Sequence, residues 1–278
     1  MRFGFALRSM GVAANAPVLG EAARRAESAG LDSLWVQDHI AIPPDDTEGS
    51  GGRYLDPLTT LAWLAARTER IHVGTGVLIL PYRPPLPTAK AIATVQELSG
   101  ERLELGVGVG WMAPEFRALG VDRHARGRLT DEVLAFFRAA FEAADDEVEL
   151  NGQPFVFRPN PRAPRIWVGG APRHALARAA RFGDGWMPMT DDPEKLAAPA
   201  RELRARFEDA GRATPEIAVM GSLGRRSEAE DLERLEALEA LGVTEHVQGA
   251  RYADLDGFLR SFEPMVERME SHRARHAR

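Results

Sequence analysis

Residues 2–37, RFGFALRSMGVAANAPVLGEAARRAESAGLDSLWVQ, combine a strand, a helix and a second strand in a short stretch of chain. The first strand is expected from Arg2 to Leu7. Pro17 near the start of the helix needs no backbone donor there, and Gly30 is typical of the left-handed residue that ends a helix. The second strand is expected from Asp32 to Gln37. This order is a βαβ unit, which is typical of a sheet with parallel strands.

The alternation of strand and helix continues along the chain to Met269. Eight such units in 278 residues predict one (β/α)₈ TIM barrel with insertions, an α/β fold that forms a single domain over residues 1–278. A β-hairpin with an Asn-Gly turn is expected from Val148 to Phe157, and residues 270–278 are expected to be a disordered tail. The eight strands are expected over Arg2–Leu7, Asp32–Gln37, Ile71–Leu78, Arg102–Val107, Arg165–Val168, Asp184–Pro188, Ile217–Met220 and Thr244–Val247.

The composition is that of a soluble globular protein, with 44% hydrophobic and 27% charged residues. The formal net charge is -6 and no long basic stripe occurs outside the tail, which argues against a nucleic-acid partner. No signal peptide and no run of about 20 apolar residues is present, so no membrane association is expected. The chain has no cysteine, which excludes disulfides and thiolate chemistry and agrees with a cytoplasmic location.

Function is expected in the loops that follow the strands, because active sites of such barrels lie at the carboxyl ends of the strands. The second strand ends in Asp38-His39. Histidine exchanges protons near neutral pH, and an adjacent carboxylate can set its tautomer or position a ligand. A helix cap beside a hydrogen-bonded loop histidine would explain most such pairs. The position at a strand end favours a functional pair here.

The third and fourth strands are rich in glycine. Gly74 and Gly76 weaken the third strand and indicate either a close approach by a flat ring or tight packing against a bulky neighbour. The stretch Gly106–Trp111 is superficially similar to a dinucleotide-binding fingerprint, but its spacing is wrong and no helix follows directly. Gly108 and Val109 are therefore candidate contacts for another cofactor. Trp111 is either a wall of the pocket or a covered loop anchor.

A strand, two glycines and a helix start coincide at Trp167–Arg173. Free amides and the positive end of a helix dipole form an anion site, so this junction favours a phosphate over a simple tight turn. Trp186 at the sixth strand is a candidate wall of the same mouth. The histidines are scattered and no His-Glu-x-x-His motif is present, so no metal site is expected.

At these residues the chain resembles the bacterial luciferase-like family of flavin and deazaflavin oxidoreductases, and most closely its F420-dependent branch. The resemblance implies a homodimer of barrels with the cofactor ring at the carboxyl face. Four stretches carry it: AESAGLDSLWVQDHI (26–40), LDPLTTLAWLAARTERIHVGTGVLILPYR (55–83), ATVQELSGERLELGVGVGW (93–111) and IWVGGAPRHALARAARFGDGW (166–186).

The resemblance also implies roles for particular residues. A non-proline cis peptide at Gly76-Val77 would back the tricyclic ring. The turn Gly169, Gly170, Ala171 and Pro172 would cradle a phosphate. Asp38 and His39 would lie at the reactive edge of the ring, with His39 as the catalytic proton donor or acceptor.

The chain departs from the relatives that oxidise glucose 6-phosphate. Those relatives carry one acid after the first strand and another after the glycines of the fourth, where this chain has Arg8-Ser9-Met10 and Gly110-Trp111. The departure excludes a sugar phosphate. A mouth built from Trp111, Met112 and Trp186 would favour a small, fairly apolar organic substrate.

Three hypotheses about function follow. The leading one is an oxidoreductase that moves a hydride between C5 of coenzyme F420 and an organic substrate. The second keeps the fold but uses reduced FMN and dioxygen as a monooxygenase. The third is a barrel that binds a flavin without turning it over.

Overall fold

The computed structural model of the protein describes residues 1–45 and 49–276. Ten strands are present in this part of the chain: β1 Arg2–Ala6, β2 Ser33–Val36, β3 His72–Ile79, β4 Leu103–Gly108, β5 Glu147–Leu150, β6 Gln153–Val156, β7 Arg165–Gly169, β8 Gly185–Met187, β9 Glu216–Gly221 and β10 Glu245–Gly249. Nine α-helices accompany them there: α1 Ala16–Ser28, α2 Pro57–Ala65, α3 Pro85–Leu98, α4 Ala113–Ala118, α5 Arg126–Phe141, α6 Pro172–Phe182, α7 Pro193–Asp209, α8 Glu228–Ala240 and α9 Leu255–His276.

Eight of the strands close into one parallel barrel in the order β1-β10-β9-β8-β7-β4-β3-β2. The TIM barrel predicted from the sequence is therefore confirmed. The expected hairpin is also confirmed, because β5 and β6 pair antiparallel outside the barrel. None of the helices in the described part of the chain has the length and apolar composition that crossing a bilayer requires.

Local sequence explains where the first helices begin. The Asn15 side chain accepts a hydrogen bond from the Val18 amide at the start of α1, and Asp56 does the same for Thr59 at the start of α2. Each cap satisfies an amide that has no partner inside its helix. The buried face of α1 then packs on the barrel through Leu19, Ala22, Ala23 and Ala26.

Aromatic side chains fill the inside of the barrel. Trp35 and Trp167 meet edge to face with ring centroids 6.3 Å apart. They pack with Met187 and small aliphatic side chains in a cluster separate from the larger core between strands and helices. This interior packing leaves the carboxyl ends of the strands as the place for a ligand.

The amino-terminal end of the barrel contains paired charges. Glu104 is buried and accepts hydrogen bonds from Arg2 at 3.0 Å, from the Trp167 indole at 2.9 Å, and from Arg165. Burial would raise the pKa of Glu104, but His72, Arg2 and Arg165 outweigh it and lower the pKa to about 2. Two arginines thus compensate this buried carboxylate, and the cluster has a structural role at this end of the barrel.

The prediction of a disordered tail is wrong for residues 270–276. The helix α9 continues to His276, since His272 is buried and its ring packs edge to face on Phe3 with centroids 5.6 Å apart. Arg273 adds an ion pair with Asp32 at 2.8 Å. Residues 277 and 278 lie outside the described residues.

Candidate active site

A cavity of about 1000 Å³ opens at the carboxyl ends of the barrel strands. Its walls come from the ends of β3, β4 and β7, from the loops after β1, β2, β8 and β10, and from the loop before α2. The residues that line it are Arg8, Met10, Gln37, Asp38, His39, Gly49, Tyr54, Gly76, Val77, Ile79, Gly108, Val109, Gly110, Trp111, Gly169, Gly170, Met189 and Arg251.

His39 lies in the wall of this cavity with one ring nitrogen fixed. Its Nδ1 is 2.7 Å from Oε2 of Glu115, and its side chain is 11% exposed. The ring also contacts Tyr54 and Trp111, with centroid distances of 4.9 and 6.1 Å. Among the described residues, Nε2 of His39 has no hydrogen-bond partner. The remaining nitrogen is therefore available to a ligand.

Glu115 is a fully buried carboxylate that holds this arrangement together. Its Oε1 accepts the amides of Ile40 at 2.7 Å and Ala41 at 2.9 Å, and its Oε2 accepts the Tyr82 hydroxyl at 2.9 Å. Burial would raise the pKa of Glu115, but the two amides and His39 outweigh it and lower the pKa. Burial and the neighbouring carboxylate raise the pKa of Tyr82, so its hydroxyl keeps the proton that it donates.

An ionised Glu115 can only accept hydrogen bonds, so Nδ1 of His39 must be the donor. In the neutral imidazole the other nitrogen, Nε2, is then a proton acceptor, and in the imidazolium it is a donor. The pair thus gives the cavity one group that can accept or release a proton at a defined atom.

Asp38 lines the cavity, but its oxygens are already engaged. They accept the Ile79 amide at 2.8 Å and two nitrogens of Arg83 at 2.6 and 2.8 Å. Burial raises the pKa of Asp38, and the Arg83 guanidinium opposes that shift. The carboxylate therefore fixes the end of β3.

The two glycines of β3 have different roles. A Cβ at Gly74 would lie 2.8 Å from the Trp35 ring, so Gly74 is a packing glycine. A Cβ at Gly76 would have no neighbour closer than 3.7 Å, and Gly76 lines the cavity. The Gly76-Val77 peptide is cis, as the resemblance implies. Tight packing against a bulky neighbour therefore explains Gly74, and Gly76 stays the candidate for a close approach by a flat ring.

Glycines on β4, the neighbour of β3, and on β7, the next strand along, make room for Val77. A Cβ at Gly108 would lie 2.6 Å from one methyl group of Val77, and a Cβ at Gly169 would lie 2.8 Å from the other. Any larger residue at either position would displace Val77. The predicted contacts Gly108, Val109 and Gly169 all line the cavity, together with Gly170.

The first turn of α6 comes directly after Gly169 and Gly170 in the chain. Ala171 is the N-cap, is extended and provides no side-chain cap, and Pro172 begins the helix. Amides of a first helical turn have no intrahelical partner, so this end can receive an anion. Ala171 and Pro172 belong to this turn, although only Gly169 and Gly170 line the cavity itself.

The predicted aromatic mouth is only partly correct. Trp111 is 52% exposed and lines the cavity. Met112 and Trp186 are buried, at 1% and 2% exposure, and do not line it. Trp186 packs in the core outside the barrel, and its indole donates to the Gly170 carbonyl at 2.9 Å. Trp186 therefore stabilises the Gly169–Gly170 turn from the core side, without contacting the cavity.

Sequence reasoning missed several residues of this site, namely Glu115, Tyr82, Arg83, Tyr54, Met10, Gln37, Met189 and the cations Arg8 and Arg251. Glu115 is 76 positions from His39 in the chain, and no local motif links the two. Tyr82 and Arg83 do lie in one of the stretches that carry the family resemblance.

Three residues of types that commonly bind metals lie together away from the cavity. Ligand atoms of Glu239, His272 and His276 come within 4.8 Å of one another, although the histidines are scattered in the sequence. Glu239 accepts hydrogen bonds from the Met1 ammonium at 2.9 Å and pairs with His272 at 3.2 Å. Nε2 of His276 lies 3.1 Å from the other oxygen of Glu239, so Glu239 contacts both histidines.

Comparison with known proteins gives the class of protein. The model of the luciferase-like monooxygenase family matches residues 1–277. The chain therefore belongs to the luciferase-like family of enzymes.

The chain is similar in sequence to two mycobacterial proteins and similar in fold to one solved structure. An uncharacterized protein of Mycobacterium tuberculosis is 32% identical over 248 residues, which cover 82% of this chain and 83% of that protein. An F420-dependent hydroxymycolic acid dehydrogenase of the same organism is 30% identical over 234 residues, which cover 77% of this chain and 62% of that enzyme. The crystal structure of the monooxygenase RslO1 from Streptomyces bottropensis superposes with a TM-score of 0.78 at 22% identity, covering 98% and 99% of the two chains.

Proposed function

We propose that this enzyme is an F420-dependent oxidoreductase that transfers a hydride between C5 of the deazaflavin and an organic substrate. The observation that carries the proposal is the His39–Glu115 pair in the wall of a large cavity. The similarity to an F420-dependent dehydrogenase supports this choice of cofactor. The family resemblance further leads us to propose a cytoplasmic homodimer.

The residues present fit a tricyclic cofactor with a phosphate. A cavity of about 1000 Å³ is at the upper end of the usual range for ligand sites, and it has room for a ring and a substrate together. Gly76 offers backbone without a side chain, against which a flat ring can lie. The Gly169–Gly170 turn and the first turn of α6 would hold a phosphate.

The protein would supply position, exclusion of water and a proton. When bound, the deazaflavin supplies or accepts a hydride at C5. In the direction of substrate oxidation, Nε2 of His39 would accept the proton of a substrate hydroxyl as the hydride leaves the carbon. In the direction of reduction, the same atom would return the proton. Glu115 would stabilise the imidazolium in either case.

A monooxygenase that uses reduced FMN and dioxygen is the second candidate. The description of the matching family favours it, as does the similarity in fold to RslO1. A barrel that only stores a flavin is disfavoured, because storage does not require a histidine with a fixed proton.

Fluorescence titration of the purified protein with F420 and with FMN tests the choice of cofactor. We expect F420 to bind with a dissociation constant on the order of micromolar and FMN to bind at least about tenfold more weakly. Micromolar binding of FMN without binding of F420 would reverse the order of the two candidates.

A further inference from the structure

We infer that the substrate carries an anionic group, a carboxylate or a phosphate, which binds to Arg8 and Arg251 in the wall of the cavity. This inference rests on the proposed function and names the substrate class for the same site. It replaces the fairly apolar substrate that the sequence suggested, since two of the three side chains behind that expectation do not line the cavity.

The two arginines leave neighbouring strands at the same level. Ala6 at the end of β1 is paired with Gly249 at the end of β10, and each arginine follows two residues later. Both line the cavity. The buried hydroxyl of Tyr252, next to Arg251, accepts the Arg8 amide at 2.9 Å. The fold therefore brings both side chains to one side of the mouth.

Neither positive charge is balanced by the described part of the protein. Arg8 and Arg251 form no ion pair with any carboxylate there, and the buried Nε of Arg8 has no hydrogen-bond partner. Asp38 is the acid among the described residues that line the cavity, and it is already paired with Arg83. Burial raises the pKa of Tyr252 to about 12, so its hydroxyl is neutral. An unsatisfied buried donor is costly, and an anionic ligand would satisfy it.

The position of the arginines separates them from the phosphate end proposed for the cofactor. In the closed barrel, β7 with its glycine turn is three strands from β10 and four strands from β1. The arginines therefore face the turn across the mouth. His39 follows β2, the other neighbour of β1. An acid held by the arginines would thus have its reactive carbon near the proposed proton donor.

A second, smaller cavity extends this positive region. It measures about 290 Å³ and shares Arg251 with the main cavity, and its wall also contains Arg225 and Arg260. Asp254, the carboxylate in this wall, accepts the Gly257 amide at 2.7 Å. A row of cations raises the local concentration of anions and would guide an acidic substrate inward.

Calorimetric titration with matched probes tests the inference. Benzoate and phenyl phosphate carry the two kinds of anion, and benzyl alcohol is a neutral probe of similar size. We expect one or both anions to bind the wild type at least about tenfold more tightly than the alcohol. The better of the two anions identifies the acidic group. Arg8→Met and Arg251→Met should each remove most of the preference.

Arg128→Met is the matched control, because Arg128 is exposed on α5 and pairs with Glu132. It should keep the full preference, and thermal unfolding checks that all three variants fold. Equal affinity for anion and alcohol in the wild type would overturn the inference, as would a preference that survives both arginine variants. Displacement of F420 by benzoate would assign the arginines to the cofactor and overturn it too. Failure of F420 to bind, with the anion preference intact, would instead reject the proposed function alone.

Discussion

The His39→Ala variant should lose turnover by a factor of about 10² to 10⁴, while its affinity for the cofactor stays within about twofold of the wild type. The loss is expected because the variant removes the group that we propose to exchange a proton at Nε2. Cofactor affinity should survive, because the ring and the phosphate would rest mainly on glycine backbone. Steady-state kinetics with an identified substrate and a separate cofactor titration measure the two quantities.

His124→Ala is the control for this experiment. His124 is exposed, lies outside the cavity and is bonded through its amide to Asp122. This variant should match the wild type in both turnover and affinity. Full turnover in His39→Ala would remove His39 from the mechanism.

The Glu115→Gln variant should lose turnover by about 10²-fold or more and remain folded. The glutamine oxygen can still accept the amides of Ile40 and Ala41, but its NH₂ group would face Nδ1 of His39 and the Tyr82 hydroxyl. Nδ1 must then accept, so the proton moves to Nε2 and the imidazole has the wrong tautomer for a base. A change from carboxylate to amide beside a catalytic histidine has this consequence in the serine-protease triad.

Nitrogen NMR of labelled histidine reads the tautomer directly. We expect the proton of neutral His39 on Nδ1 in the wild type and on Nε2 in Glu115→Gln. Glu115→Ala should in addition lose about 3 kcal/mol of folding free energy, because buried donors are left without an acceptor. Glu132→Ala, at an exposed ion pair, should change stability by less than about 0.5 kcal/mol. An unchanged tautomer and unchanged turnover in Glu115→Gln would leave Glu115 with a purely structural role.

The barrel could be predicted because it depends on local alternation of strand and helix, and the hairpin because Asn-Gly specifies a tight turn. The orientation of Trp186 could not be read from the sequence so easily. Side chains alternate along a strand, so in β8 Met187 points into the barrel and Trp186 points outward. A three-residue strand gives too short a pattern to decide which of the two faces inward.

The sequence contained a signal for the end of α9, but the charged residues around it favoured a disordered tail. Apolar residues at Phe258, Phe262, Met265 and Met269 follow a helical spacing, and His272 continues it on the buried face. The surrounding charges suggested a solvated tail. The contact with Glu115 could not be found in this way, because only the closed fold brings α4 to the loop after β2.

Amide hydrogen exchange measured with and without F420 is the most direct test of where the cofactor lies. We expect saturating F420 to slow exchange in residues 76–79, 108–111 and 169–174, which form one side of the cavity, and to leave the hairpin at 147–156 unchanged. Slower exchange confined to other parts of the barrel, or no slowing with either F420 or FMN, would contradict a cofactor site at the carboxyl ends of β3, β4 and β7.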